Sequence, residues 1–304
     1  MKIFKTKSYS NQGTSPIKGV RIVDLSRIFG VIQATNEVFL PSIGPKIRYN
    51  GLTGAELMAA SILRDLAGSE LSCKNIDPVA ILTTVNRKLR SLLPNKEMIT
   101  HTPAFLPYAR FALLFISDNG KAEVIAGGDC QAIAQTTEGK LLWTENQAGP
   151  YDLENYRIIG LHMDAQTKKY ASENKMAIDD LKRENIEKIR EAMWKRFAPE
   201  LVDRRNRAIN STFAALNGNL RITQRWQRLP LGNLTDIERI ICYTGGFVNI
   251  AATQNMRTLA HKIISDYDMH GLRSTVQTAQ NMFSLNCRMA HITKREVGVM
   301  VIEP

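Results

Sequence analysis

The sequence has little of what would identify a class of protein directly. Its 304 residues include only four cysteines and five histidines, and none of them shows Cys-x-x-Cys or His-Glu-x-x-His spacing. A disulfide framework and a zinc site are therefore not expected. No run of about 18 apolar residues occurs, so no membrane-spanning helix is expected. The first residues lack the apolar segment of a secretory signal, and we expect a cytoplasmic protein.

Motifs for common cofactors and nucleophiles are also missing. The glycine pairs at 127–128 and 245–246 lack the further glycine or the Gly-Lys that dinucleotide and phosphate loops need. No Gly-x-Ser-x-Gly sequence marks a nucleophilic serine. An isolated glycine pair usually marks a turn, and both pairs are interpreted in that way.

The composition is that of an ordinary globular protein with an excess of positive charge. Hydrophobic residues make up 44% and charged residues 23% of the chain. Forty basic residues against 29 acidic ones give a formal net charge of +11. This excess favours anionic partners or surfaces but does not define a fold.

Hydrophobic periodicity predicts short strands and amphipathic helices. Thr53 and Glu56 form a capping box at the start of one helix, and Asp77 before Pro78 begins another. Pro199 is expected to end a third, charged helix. The predicted helices are 53–68, 77–94, 172–197, 254–264 and 272–283. The predicted strands are 20–25, 28–34, 111–117, 122–126, 130–136, 141–144, 240–244 and 297–302.

Turn residues between the middle strands predict an antiparallel meander. Asn119-Gly120, Gly127–Asp129 and Glu138-Gly139 each separate two apolar runs. A meander has no crossover helices, which excludes a doubly wound parallel sheet. We predict an α+β fold in which two antiparallel sheets pack face to face with helices outside, an αββα sandwich formed by one domain over 1–304.

The order of these segments, with four short strings, resembles the metal-dependent protein phosphatases of type 2C (the PPM family), particularly the bacterial branch. The resemblance spans about Ser8 to Ile302. Weaker similarity occurs at 213–218 and 294–301. The four strings are Ser10-Asn11-Gln12-Gly13, the run from Arg27 to Thr35, Gly128-Asp129-Cys130-Gln131-Ala132 and the run from Cys242 to Phe247.

The resemblance implies a serine/threonine phosphatase fold whose chemistry uses two divalent cations. Such ions lower the pKa of a bound water and stabilise charge on the phosphoryl oxygens. Mg²⁺ and Mn²⁺ prefer carboxylate and water oxygens. The family accordingly brings three or four aspartates together between the two sheets.

This sequence departs from the family at those aspartate positions. Gly13, Ala34 and Gly245 stand where the resemblance implies metal-binding aspartates, and Arg295, or Glu296 if the register shifts by one residue, stands where it implies the last one. Only Asp129 survives, in a Gly-Asp turn whose role in the family is more structural than catalytic. Losing several carboxylates removes the charge that offsets desolvation of two dications, so we expect no metal and no catalytic residues.

Other carboxylates lie within a few positions of the lost ligands. They leave open a relocated Mg²⁺ or Mn²⁺ site in an active phosphatase. Each is more often a solvated charge in proteins. These fallback ligands are Asp24, Glu37, Asp236 and Glu296.

Much of the positive charge is concentrated between Lys182 and Arg228. This segment contains twelve basic and five acidic residues, which gives it a net charge of +7. The segment falls in a helical insertion over about 150–235, which corresponds to the family's flap beside the active-site cleft. One interpretation is a partner-binding surface, and the other is a solvated helix face laced by ion pairs. The candidate partner-binding residues are Trp194, Arg204, Arg205, Arg207, Arg221, Arg225, Trp226 and Arg228.

Three hypotheses follow from the sequence. The first is a pseudophosphatase, a catalytically inactive type 2C-like regulatory protein that docks a protein kinase, a phosphoprotein or a component of an assembly. The second is an active Mg²⁺- or Mn²⁺-dependent serine/threonine phosphatase with relocated ligands. The third, ranked last, is a nucleic-acid-binding protein that uses the basic flap, since no nucleic-acid motif is present.

Overall fold

The strands form two five-stranded antiparallel sheets in a computed structural model that describes residues 4–11, 19–35, 49, 51–72, 76–93, 97–101, 106–212, 214–248, 255–286 and 296–304. The first sheet has the order β1-β10-β9-β6-β7 and the second β2-β3-β4-β5-β8. The first sheet consists of β1 (Lys5–Asn11), β6 (Gln131–Thr136), β7 (Leu141–Trp143), β9 (Ile237–Tyr243) and β10 (Val297–Glu303). The second consists of β2 (Val20–Asp24), β3 (Ile28–Thr35), β4 (Tyr108–Ile116), β5 (Lys121–Gly127) and β8 (Gln227–Asn233).

Helices cover the outer faces of both sheets. Buried residues of β3 and β4 form one core with α1 and α2, and buried residues of β9 and β10 form another with α6. A third core lies between the sheets. The α-helices are α1 (Gly54–Ser72), α2 (Pro78–Leu92), α3 (Met98–His101), α4 (Gly149–Glu173), α5 (Arg183–Ser211) and α6 (Met256–Asn286). The predicted αββα sandwich is confirmed.

The local signals for the first two helices are confirmed in atomic detail. The Thr53 hydroxyl accepts from the Glu56 N–H at 3.2 Å, and the Glu56 carboxylate accepts from the Thr53 N–H at 2.9 Å. The Asp77 carboxylate accepts from the Val79 and Ala80 N–H groups at 3.0 and 3.2 Å. Reciprocal bonds of this kind satisfy amides that have no partner inside the helix.

The predicted meander is wrong at its centre. β4 and β5 form a hairpin in the second sheet, and β6 and β7 form one in the first, but the turn Gly127–Asp129 carries the chain from one sheet to the other. Apolar residues on β5 and β6 therefore meet face to face in the core between the sheets instead of pairing side by side. Two packed sheets bury both sets of side chains, which one continuous meander would leave half exposed.

The charged helical region also differs from its prediction. Where one helix over 172–197 was expected, α4 ends at Glu173 and α5 begins at Arg183. Pro199 lies inside α5, where it is exposed, so the carbonyl that loses its hydrogen bond can be hydrated. The predicted flap over 150–235 extends too far, because β8 at Gln227–Asn233 belongs to the second sheet.

Two strands and one helix differ from the sequence prediction. β1 and β8 were not predicted, since their exposed polar residues give no clear alternation. The predicted helices 254–264 and 272–283 are the two parts of α6, which breaks at Gly271 with φ of 70°. No helix among the described residues has both the length and the apolar content needed to cross a membrane.

Candidate functional site

One end of the sandwich, called here the mouth, brings together the ends of strands from both sheets. β1 ends there at Asn11, opposite Val297 at the start of β10. β3 ends there at Thr35, opposite Tyr108 at the start of β4. The turn between β5 and β6 and the residues after β9 lie at the same end, because Gln131 pairs with Tyr243. These are the strand ends at which the sequence resemblance places the metal-binding aspartates.

An ion pair between Arg110 and Asp129 lies at the mouth. The Arg110 Nη1 is 2.5 Å from the Asp129 Oδ2, and the two side chains are 16% and 10% exposed. The Arg110 Nη2 donates to the Thr35 hydroxyl at 3.2 Å. Burial is the largest single influence and lowers the pKa of Arg110, but Asp129 together with Tyr108, Cys130 and Asp152 outweighs it, so the net pKa is raised. The guanidinium therefore remains charged in this buried position.

Two glycines shape the space around this ion pair. Gly128 has φ of +80°, and a Cβ there would overlap the aliphatic part of Arg110. A Cβ at Gly245 would overlap the carboxylate of Asp129. The Asp129 side chain thus fills the volume that a side chain at position 245 would need.

Glu296 adds a second buried carboxyl group at the mouth, immediately before β10. It is 8% exposed, and the Gly19 backbone N–H donates to it. Burial raises the pKa of Glu296 to about 7, against the opposing effects of Arg110, Gly19 and Arg21. Near neutral pH the protonated and ionised forms of Glu296 therefore coexist, whereas an ordinary glutamate would be fully ionised.

The described residues at the mouth do not fit a pair of divalent cations. Ala34 and Gly245 carry no oxygen ligands on their side chains, and Asp129 is already neutralised by Arg110. A cation about 4 Å from a guanidinium is repelled by roughly 4 kcal/mol per unit charge at an effective dielectric near 20. Across the described ranges, no three His, Cys, Asp or Glu residues come together in a way that could hold a metal ion.

The fallback ligands are not brought together. Asp24 pairs with Phe29 at the end of β2 away from the mouth, and it accepts a hydrogen bond from Thr6. Asp236 precedes β9, whereas the mouth lies beyond the other end of that strand, roughly 20 Å away at about 3.3 Å per residue. Of the fallback ligands that the structure describes, only Glu296 lies at the mouth. Gly13, Glu37 and Arg295 lie outside the described residues.

Arg110 is the charged residue at the mouth that the sequence did not predict. It is the one charged residue in the strand Tyr108–Ile116, whose other side chains are almost all buried. A single arginine inside an otherwise apolar strand is a usable signal, since charged residues are rarely buried without a partner. The partner could not be foreseen, because Asp129 was assigned to a hairpin turn in a single sheet.

The flap, defined here as α4, α5 and the segment up to Arg225, packs beside the mouth. Apolar residues of α5 form a small core with Tyr108, Ala148 and Ala215. Arg205 donates to the hydroxyl of Tyr108, and its guanidinium lies 5.2 Å from the centre of that ring. The flap is therefore attached directly to the start of β4, two residues from Arg110.

Most of the arginines predicted to contact a partner have partners within the chain. Arg204 donates to Asn155 at 3.1 Å, and Arg207 lies 2.9 Å from Asp203. Arg228 lies 2.6 Å from Glu123, and its raised pKa comes first from this hydrogen bond. The Arg225 guanidinium donates to the carbonyl of Ser211, and Arg221 is exposed.

The two tryptophans differ in accessibility. Trp226 is 5% exposed and packs edge-on against Phe111, with ring centres 5.8 Å apart. The indole of Trp226 therefore belongs to the core, which corrects the prediction that it anchors a partner. Trp194 is half-buried against the small core of the flap and retains exposed surface.

The fold is that of the type 2C, or PPM, protein phosphatases, and its structural neighbours include bacterial serine/threonine phosphatases. The serine/threonine phosphatase Stp1 from Staphylococcus aureus matches with a TM-score of 0.51 and 8% identity, over 100% of this chain and 96% of that chain. The PPM Ser-Thr phosphatase MsPP from Mycobacterium smegmatis, solved in complex with cacodylate, matches with a TM-score of 0.50 and 12% identity, over 98% and 97%. No protein-family model matches this sequence, and no curated protein matches it.

Proposed function

We propose that this chain is a pseudophosphatase, a type 2C phosphatase fold that works by docking a protein partner instead of hydrolysing phosphoesters. The observation that carries the proposal is the composition of the mouth. Ala34 and Gly245 stand at two positions where the resemblance implies aspartates, and the Arg110–Asp129 ion pair lies beside them. An arginine bound to the remaining aspartate supports a role without metal-dependent hydrolysis.

The flap is the proposed docking surface, and its partner is a protein with an acidic surface. Arg207 and Arg221 are exposed there, as are Lys188, Lys195 and Arg196. Exposed acidic residues also occur on α5, so the favourable field comes from the net excess of positive charge. Rim charges of this kind mainly increase the association rate and make binding sensitive to salt.

Charge removal on the flap tests the docking surface. The variant Arg207→Ala/Arg221→Ala is compared with Lys121→Ala/Arg257→Ala, which removes two exposed charges elsewhere. Binding to fluorescent poly-L-glutamate and to a DNA duplex of equal charge is measured by anisotropy at increasing salt. We expect the flap variant to bind poly-L-glutamate several-fold more weakly and the control variant to bind like the wild type. Equal weakening in both variants contradicts the flap site, and tighter binding to DNA favours the nucleic-acid hypothesis.

An active phosphatase with relocated ligands is a second candidate, favoured by the position of Glu296. It is the one fallback carboxylate that the described residues place at the mouth. This candidate requires Mn²⁺-dependent turnover that disappears in Glu296→Ala. Retained turnover in that variant would reject it.

A further inference from the structure

We propose that the Arg110 guanidinium serves as a built-in cation that joins the two sheets at the mouth, where the phosphatase fold uses divalent ions. Arg110 belongs to β4 of the second sheet, and Asp129 leads into β6 of the first. Their ion pair spans the point at which the chain passes between the sheets. The bond from Arg110 to Thr35 adds the end of β3 to the same cluster.

Arg110 and Asp129 each depend on the other to compensate a charge that is largely removed from solvent. Within the described part of the chain, Arg110 Nε and Asp129 Oδ1 are buried and have no hydrogen-bond partner. Among the described residues, Arg110 also interacts electrostatically with Asp152 and Glu296, but its hydrogen-bonded ion pair is with Asp129. Removing one member of a buried ion pair leaves an uncompensated charge, whereas replacing both members removes that penalty.

The surrounding glycines support a built arrangement. A side chain at Gly128 would displace the stem of Arg110, and one at Gly245 would displace the Asp129 carboxylate. Both backbone positions are therefore shaped to admit this ion pair. The ion pair is proposed to stabilise the sandwich, and this role does not depend on partner binding by the flap.

A double-mutant cycle tests the proposal by thermal unfolding of the full chain. Arg110→Gln and Asp129→Asn each keep most of the side-chain volume and remove one charge, and each is expected to lower Tm by roughly 5 to 10 °C. The double variant carries neither charge, and we expect it to melt above both single variants. If the single variants fail to fold, a folded double variant still supports the proposal. A double variant that melts below either single variant, or that does not fold, overturns it.

An exposed ion pair provides the matched control, and divalent cations provide a second measurement. Arg157 and Glu154 form an ion pair at 2.9 Å with side chains 63% and 42% exposed, so Arg157→Gln and Glu154→Gln are expected to cause small, additive changes in Tm. The Tm of the wild-type chain is expected to be the same in MnCl₂ and in EDTA. A rise of Tm that saturates with MnCl₂ would show that the native state binds the ion, and it would overturn the replacement of divalent cations by Arg110. Neither the double-mutant cycle nor the Tm in MnCl₂ and EDTA depends on partner binding, so the proposed docking function can fail independently.

Discussion

At the residue scale, the proposed loss of metal-dependent chemistry rests on a small number of side chains at the mouth. A carboxylate cluster that holds divalent ions must have unpaired oxygens facing a common centre. Here the surviving aspartate, Asp129, faces a guanidinium, and position 245 has no space for a side chain. An aspartate placed at position 245 would therefore overlap the Asp129 side chain, whether or not it could bind a metal ion.

Gly245→Ala tests this packing argument. The added Cβ overlaps the Asp129 carboxylate, so we expect a loss of about 1 to 3 kcal/mol in the free energy of unfolding. Gly68→Ala is the matched control, because among the described residues no other side chain lies within 4 Å of a Cβ added at Gly68 in α1, and it should gain up to about 1 kcal/mol. Chemical denaturation of both variants makes the comparison. Wild-type stability in Gly245→Ala would refute the proposed crowding.

The raised pKa of Glu296 predicts a pH dependence. A carboxyl group whose pKa rises to about 7 on folding binds its proton more tightly in the folded than in the unfolded chain. Its contribution to stability is therefore greatest below about pH 4.5, declines as the pH rises toward 7, and then levels off. We expect Tm of the wild type to fall relative to that of Glu296→Gln across this range. Parallel curves for the two proteins would show that the pKa of Glu296 is not shifted.

At the scale of elements, the sequence predicted helix starts well but did not predict which strands pair in the same sheet. The Thr53–Glu56 capping box and the Asp77 N-cap act within one helical turn, so sequence alone located α1 and α2. The passage from β5 to β6 depends on which sheet each strand joins, and turn residues do not encode that choice. Likewise, Pro199 inside α5 is tolerated because of its exposure, a property of the tertiary structure.

The flap should be separable from the sandwich. Its two helices begin and end close together, since the Ala214 N–H after α5 donates to the side chain of Gln147 before α4 at 3.2 Å. Replacing 150–212 by a short Gly-Ser linker is expected to leave cooperative thermal unfolding at a lower Tm, because Tyr108 loses its cover. The same variant should bind poly-L-glutamate more weakly, because it lacks Arg207 and the exposed lysines of α5 but keeps Arg221. Non-cooperative unfolding would show instead that the flap is part of the folding unit.

At the scale of the whole molecule, the sequence predicted the four-layer sandwich but not the ion pair at its mouth. Apolar patterning and the order of the strands define the layers, and the comparison with bacterial phosphatases confirms them. Arg110 and Asp129 are brought together only when both sheets pack. The missing aspartates could therefore direct attention to the mouth, while the contact between Arg110 and Asp129 could be seen only in three dimensions.

Hydrolysis of p-nitrophenyl phosphate and of a phosphoserine peptide, measured with and without MnCl₂, tests the central claim most directly. The mouth pairs its remaining aspartate with an arginine, so we expect no turnover above the buffer rate at any Mn²⁺ concentration. EDTA shows whether turnover depends on a metal ion, and Glu296→Ala purified in parallel is the control for contaminating metal-dependent enzymes, since a contaminant would be active in both preparations. Turnover by the wild type that saturates with Mn²⁺, disappears with EDTA and is lost in Glu296→Ala would contradict the account.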